Sequence, residues 1–575
     1  MSYEDGNLAR GLAPVDLVLR GGRLVNVLSG EIQSGVDVGI AGGRFAGIGR
    51  FEGAATMELD GAYIVPGLID AHVHMESSLV APAAFWSVLL AHGVTSAVVD
   101  PHEIANVLGT EGLSYVLQAT AEVPANCFVA LPSCVPSSPW ETAGARLSAL
   151  ELAPFAGHPR VVALGEVMNF PAVLAGDPEM AAKLDLPLQV RDGHAPGMSP
   201  MDLNAYCLAG IGTDHECVSA AEAAERLARG IKVLLREGGA AKNLLDLLPA
   251  VNEFNARRCL LATDDRHADD LLDQGSIDHL VRLALAAGQP PVRVIQMATL
   301  NPAETYGLTG LGAVAPGWQA DFLLVSDLNR FVIEEVYHRG RLVSRGGELA
   351  RVDPYAGRVP TGTVGLGAWS LDKLRVRARG PVNVIGVQKG QLWTDWLTRD
   401  LPVDAEGSLL ADPGRNIVKL AVCERHHDTG RVGVGFVEGL GLKRGALAST
   451  VAHDAHNLVV AGVDDRDMDL AVRTLAACGG GLAVVGGEEV LGLLPLPLAG
   501  LMSMEDVPAV AAKLKELRKA AAGLGVPPGG DPFMTLSFLA LPVIPRLKLT
   551  DLGLVDVEGN RLAGLTAGGG PKRTV

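Results

Sequence analysis

Two histidines separated by a single residue close an apolar run, Val65-Pro-Gly-Leu-Ile-Asp-Ala-His72-Val-His74. Side chains of an extended strand repeat every two residues, so both imidazoles project to one side and can chelate one divalent cation. A His-x-His pair alone is a weak sign, since an exposed polar pair has the same spacing. Its weight comes from ligand-type residues that end later apolar runs. Glu166 follows Val161-Val-Ala-Leu-Gly, His194 follows Leu188-Gln-Val-Arg-Asp-Gly, His215 sits in Gly212-Thr-Asp-His-Glu216, and Asp264 ends Leu260-Leu-Ala-Thr. Four histidines, one glutamate and one aspartate are too many for one tetrahedral ion. They suit two hard-to-borderline cations with one carboxylate able to bridge them. The chemistry of such a pair is hydrolytic, because coordination lowers the pKa of water from about 15.7 toward 7.

Residues at the ends of successive strands need a scaffold that gathers those ends. Apolar runs alternate with helical stretches at Ile64 to Ile69, Ser96 to Asp100, Cys127 to Pro132, Val161 to Glu166, Leu188 to Val190, Leu208 to Ile211, Lys232 to Leu235 and Cys259 to Ala262. Eight buried strands, each followed by a helix, predict an α/β fold built on a (β/α)8 barrel over residues 65–311, with its active site at the carboxyl ends of the strands. Short alternating strands before it (1–64) and after it (312–355) predict one composite β-sandwich made from both flanks of the barrel. A Pro- and Gly-rich linker from Asp353 to Val364 leads to a third, α+β region over residues 365–575, with strands at Val382 to Val387, Gly433 to Phe436 and Leu482 to Val485 and a helix at Met504 to Ala521.

The chain has 575 residues, enough for two or three cores and a buried site. Its 48 Lys and Arg against 65 Asp and Glu give a formal charge of -17, which disfavours nucleic acid and anionic membranes and suits a small neutral or cationic substrate. Mean hydropathy is +0.26, yet no apolar run of about 18 residues appears and the N-terminus lacks a signal-peptide core, so a cytoplasmic protein is expected. Seven scattered cysteines without a CxxC pair argue against disulfides and thiolate zinc.

The order His-x-His, Glu, His, His, Asp resembles the amidohydrolase superfamily, and the Val65 to His74 segment matches its opening motif. Glu76-Ser-Ser, Asp100-Pro-His-Glu-Ile-Ala-Asn-Val-Leu-Gly109, Gly212-Thr-Asp-His-Glu216, Arg236-Glu-Gly and Val451-Ala-His-Asp-Ala-His-Asn457 resemble, more narrowly, its bacterial adenine deaminases. The resemblance spans nearly the whole chain. It implies hydrolysis of adenine to hypoxanthine and ammonia at a binuclear centre of Mn2+ or Fe2+, with Zn2+ also accommodated. The implied metal ligands are His72, His74, Glu166, His194, His215 and Asp264, with Glu166 where many relatives place a carboxylated lysine. Adenine is then the partner, and a homo-oligomer, taken as a dimer, is expected. Asp264 suits proton transfer as well as coordination. His102, just past the second strand, is the other candidate proton carrier or oxyanion stabiliser, with Asp100 placed to orient it.

Other residues have plainer readings. Lys183 reads as a solvated helix charge and His92 as a helix end capped by Gly93. Arg236, Glu237 and Lys242 would fix the purine edge or pair with one another, and Glu76 and Glu216 would accept from ligating imidazoles. His453 and His456 have ligand spacing, but the third region offers no convincing third and fourth ligand, so a lid or substrate contact at the barrel mouth is expected of them. His426-His427 reads as surface. The competing functions are a cyclic-amide hydrolase of the dihydroorotase or hydantoinase type, whose usual bridging lysine is missing here, and a non-catalytic barrel.

Overall fold

The computed structural model describes residues 3–239, 241–389 and 391–566. Eight parallel strands form the barrel: Leu68–Val73, Val94–Val99, Asn126–Leu131, Val161–Val167, Val190–Gly193, Thr213–Asp214, Lys232–Arg236 and Cys259–Ala262. The first five and the last three are hydrogen-bonded ladders. They close on each other through Asp264, whose N–H donates to the His72 carbonyl (3.0 Å) and whose own carbonyl accepts from His74 N–H (3.2 Å). Between the fifth and sixth strands the ladder thins to Gly212 N–H donating to the Arg191 carbonyl, 3.0 Å. Gly193 permits this approach, because a Cβ there would collide with the Thr213 carbonyl oxygen.

Two expected strands move. Ile64 belongs to the preceding strand, Tyr63–Pro66, which pairs with Phe322–Asp327 outside the barrel; the first barrel strand starts at Leu68, after Gly67. The run from Leu208 to Ile211 is no strand, since Leu208 ends the helix Pro200–Leu208 and is 90% exposed. The sixth strand is two residues long, beyond the turn at Gly210. An apolar run that straddles a helix end looks like a strand until packing separates its halves.

The flanking β-layer is one eight-stranded sheet drawn from both sides of the barrel. Its order runs from Arg341–Arg345 through Val332–His338, Phe322–Asp327, Tyr63–Pro66, Val15–Asn26 and Glu31–Ala41 to Arg44–Ile48, with Gly53–Glu58 added beside Val15–Asn26. The sheet curls enough that Phe45 and Phe322, from strands distant in this order, have ring centroids 6.1 Å apart in a shared core with Leu19, Leu24 and Ile64.

The third region is a second eight-stranded sheet, in the order Thr394–Arg399, Val382–Val387, Val432–Glu438, Ile417–Cys423, Leu458–Gly462, Ala446–Ser449, Gly481–Val485 and Val490–Pro495. The helices Asp465–Ala477 and Val507–Gly523 pack on it, and Leu547–Thr550, Gly553–Asp556 and Arg561–Ala563 form a small sheet of their own. It is tied to the barrel at several points. Asp551 accepts from the Thr142 N–H (3.0 Å) and hydroxyl (2.7 Å), Arg518 pairs with Asp269, and Ser503 N–H donates to the Leu79 carbonyl (2.8 Å). Among the described residues no helix is long and apolar enough to cross a membrane.

Candidate metal centre

Strand alternation delivers His72 and His74 to the barrel mouth, and both are buried. Glu166 meets them from the fourth strand. Its Oε1 is 3.0 Å from His72 Nε2 and 2.7 Å from His74 Nε2, while its Oε2 is 2.8 Å from His194 Nδ1 and 3.6 Å from His215 Nε2. One carboxylate therefore faces two imidazole pairs, one pair per oxygen. Asp264 joins the first pair, with Oδ1 3.1 Å from His74 Nε2. It takes up a left-handed backbone, φ 59°, a conformation uncommon for a side-chain-bearing residue outside functional turns. All six residues expected as ligands come together, in two donor groups that share Glu166: His72, His74, Glu166 and Asp264, and Glu166, His194 and His215.

A ligating imidazole presents a lone pair inward and its other N–H outward to an acceptor. His74 meets this condition through Nδ1, 3.0 Å from the Asp100 carbonyl, and His72 through Nδ1, 2.9 Å from Asp192 Oδ2. Burial works against protonation of His72, yet Asp192 and Glu166 outweigh it and push its pKa up to about 10. The cluster thus demands positive charge, which protons or cations can supply. Its N/O donors and outward acceptors fit a divalent cation on each side of Glu166.

Asp192, which stands behind His72, is a site residue that the sequence alone does not single out. It precedes His194 by two positions, so strand alternation puts both on the inner face; that spacing was the available signal. Arg236 does not pair with Glu237 or Lys242. It pairs with Glu216 and with Asp264 Oδ2 (2.9 Å), whereas Glu237 accepts from Leu244 N–H at 3.2 Å. Burial opposes the ionisation of Asp264, but His74 and Arg236 prevail and hold its carboxyl far below the usual range. Glu216 lies 3.7 Å from both His194 Nδ1 and His215 Nε2, the same nitrogens that face Glu166, so it borders the donor group from the inner side and not as the expected acceptor behind the rings, while Glu76 accepts from Ile104 N–H (3.1 Å).

His102 opens the helix His102–Leu108, its ring 4.6 Å from that of His74. Nδ1 is 3.5 Å from Asp100 Oδ1, which also accepts the His102 backbone N–H at 3.2 Å. A Cβ at Gly165 would strike Asp100 Oδ2, so that glycine makes room for the orienting carboxylate. On the other side, Nε2 is 3.4 Å from Glu103 Oε1 and 4.0 Å from Asp454 Oδ1. The loop carrying His453 and His456 reaches the barrel as expected, and both rings bind Glu103.

Two readings are corrected. Lys183 is buried, its ammonium donating to the Ser133 carbonyl at 2.7 Å, because it lies on the inner face of its helix with Met180 and Leu184. His426 is half-buried with Nε2 2.7 Å from the Ala455 carbonyl, so only His427 is exposed. His92 does end its helix before Gly93 (φ 78°), with Asp278 on its Nδ1 at 2.9 Å.

Comparison with known proteins covers both large parts of the chain. The amidohydrolase family model matches residues 63–343, and the adenine deaminase C-terminal domain model matches residues 391–561. The chain is 50% identical over 554 residues to adenine deaminase 2 of Carboxydothermus hydrogenoformans, covering 96% of this chain and 97% of that protein. It is 48% identical over 555 residues to an adenine deaminase of Desulfatibacillum aliphaticivorans, with the same coverage of 96% and 97%. Among solved structures, a β-aspartyl dipeptidase of Fervidobacterium islandicum AW-1 aligns at a TM-score of 0.44 and 16% identity, over 59% of this chain and 99% of that one.

Proposed function

The chain belongs to the adenine deaminases of the amidohydrolase family, and from that premise we propose that it hydrolyses adenine to hypoxanthine and ammonia at a pair of divalent cations. The observation that carries this reading is the division of Glu166, one oxygen toward His72 and His74 and the other toward His194 and His215. His72, His74, Glu166 and Asp264 would hold one cation, and Glu166, His194 and His215 the other. Mn2+ or Fe2+ suits this mixed nitrogen and oxygen set, and Zn2+ is accommodated. When bound, the cations lower the pKa of water from about 15.7 toward 7 and so make a nucleophile available near neutrality.

The reaction adds a water oxygen to C6 of adenine and breaks the bond from C6 to the exocyclic nitrogen. One water proton goes to the ring nitrogen and a second leaves with ammonia. Asp264 would accept and return a proton, with Oδ1 3.1 Å from His74 Nε2 and Oδ2 restrained by Arg236. His102, buried between Asp100 and Glu103, would serve as a proton carrier or oxyanion stabiliser. Burial of all these groups excludes water and strengthens their electrostatics. The cyclic-amide alternative lacks its bridging lysine, since Lys183 binds Ser133 instead.

The test is ammonia release from a panel of adenine, adenosine, guanine, cytosine and hydantoin after loading with Mn2+ or Fe2+ under anaerobic conditions. Adenine should be the preferred substrate. Release from other compounds with none from adenine would reject the assignment.

A further inference from the structure

Glu103, His453 and His456 form a buried group that resembles a metal site in composition, with Glu76 lining the same narrow cavity. The tautomers argue otherwise. His456 Nδ1 accepts a hydrogen bond from the Ala452 N–H at 3.1 Å, so in the neutral ring the proton lies on Nε2, which points at Glu103 Oε2. A nitrogen carrying a proton donates and cannot ligate. His453 Nδ1 takes the other oxygen, Oε1, at 2.5 Å.

Both imidazoles are themselves fixed by the third region. The His453 N–H donates to Ser537 Oγ (3.0 Å) and its ring stacks on Phe538 with centroids 5.0 Å apart. The His456 N–H donates to the Ala452 carbonyl at 2.7 Å, its carbonyl accepts from the buried Arg425 guanidinium, and Asn457 donates to the Thr142 carbonyl of the barrel at 2.8 Å. The loop is therefore a rigid two-donor fork, and the group it grips is the residue next to His102.

We infer that Glu103 is a positioning residue for His102, and that the third region sets it through His453 and His456, so that the barrel is catalytically incomplete without that region. Each link is short. The fork fixes both carboxylate oxygens, and Oε1, 3.4 Å from His102 Nε2, then limits the ring from one side while Asp100 limits it from the other. Fixing a proton carrier within a few tenths of an ångström is what catalytic geometry requires. This inference rests on the role given above to His102 in adenine deamination.

The experiment compares Glu103→Gln, His456→Leu and His456→Gln in the full chain, each loaded to the metal content of wild type. Glu103→Gln and His456→Leu should lose kcat for adenine by about tenfold or more with KM nearly unchanged, because orientation and not binding is removed. His456→Gln should recover much of the loss, since its side-chain amide still donates to Glu103. Equal kcat in all three, or a loss that follows only metal content or folded fraction measured by circular dichroism, would overturn the inference. If wild type deaminates another base instead, the functional reading fails separately and the same three variants assayed on that base decide the role of the fork.

Discussion

Two clusters in this protein each place a carboxylate between buried imidazoles, and they differ in what lies behind the rings. Around Glu166 the outer nitrogens of His72 and His74 face acceptors, the Asp192 carboxylate and the Asp100 carbonyl, which leaves the inner nitrogens free to bind cations. Around Glu103 the outer nitrogen of His456 faces a donor, the Ala452 N–H, which commits the inner nitrogen to carrying a proton. Residue composition is alike in the two places. The second layer of hydrogen bonds separates a site for metal from a clamp.

The strongest test of this contrast is metal content. Wild type should hold two divalent ions per chain, Glu103→Gln should also hold two, and Glu166→Gln should lose metal and nearly all turnover, because its amide cannot offset two cations. A third ion in wild type that disappears in Glu103→Gln would erase the distinction. Elemental analysis of chelator-free preparations gives the answer.

A smaller effect is expected at the edge of the metal cluster. Asp264→Asn keeps a weak oxygen donor but cannot accept a proton at neutral pH, so at matched metal content kcat should fall by roughly 100-fold or more while adenine still binds. Turnover within a few-fold of wild type would reduce Asp264 to a ligand and leave His102 as the proton carrier.

The mildest prediction concerns stability of the third region, at a lysine that reaches the Glu103 cluster only through Phe538. Lys548 is fully buried, its side-chain nitrogen donating to the carbonyls of Leu392 (3.0 Å) and Phe538 (2.9 Å), and burial lowers its pKa to about 7 from the ordinary lysine value of 10.5. Between those values the unfolded chain binds the proton that the folded chain has released. Its contribution to stability therefore grows as pH rises through that window, by at most about 1.4 kcal/mol per unit, and is lost as pH falls through 7. Lys548→Met should flatten that slope in denaturation curves taken between pH 7 and 10, and leave metal content unaltered. An unchanged slope would assign the pH dependence to other groups.

The chain's local pattern was enough to pick out the six donor residues that the fold gathers at the barrel mouth. A ligand that ends an apolar strand is legible because strand period and barrel geometry are local rules that act on consecutive residues, and His72, His74, Glu166, His194, His215 and Asp264 all obey them. Where local pattern and packing disagree, as in the run from Leu208 to Ile211, periodicity could not tell a helix end from a strand. The roles that depend on a second layer were not legible. Asp192 behind His72 and Arg236 against Asp264 are matters of which side chains meet across strands. The fork on Glu103 is further removed, because His453 and His456 lie some 350 residues along the chain and were judged by the ligands available in their own region. Sequence by itself determined which donor residues end the barrel strands. Only the tertiary structure decided which nitrogen of each ring bears a proton, since that depends on the neighbour that packing brings to its other side.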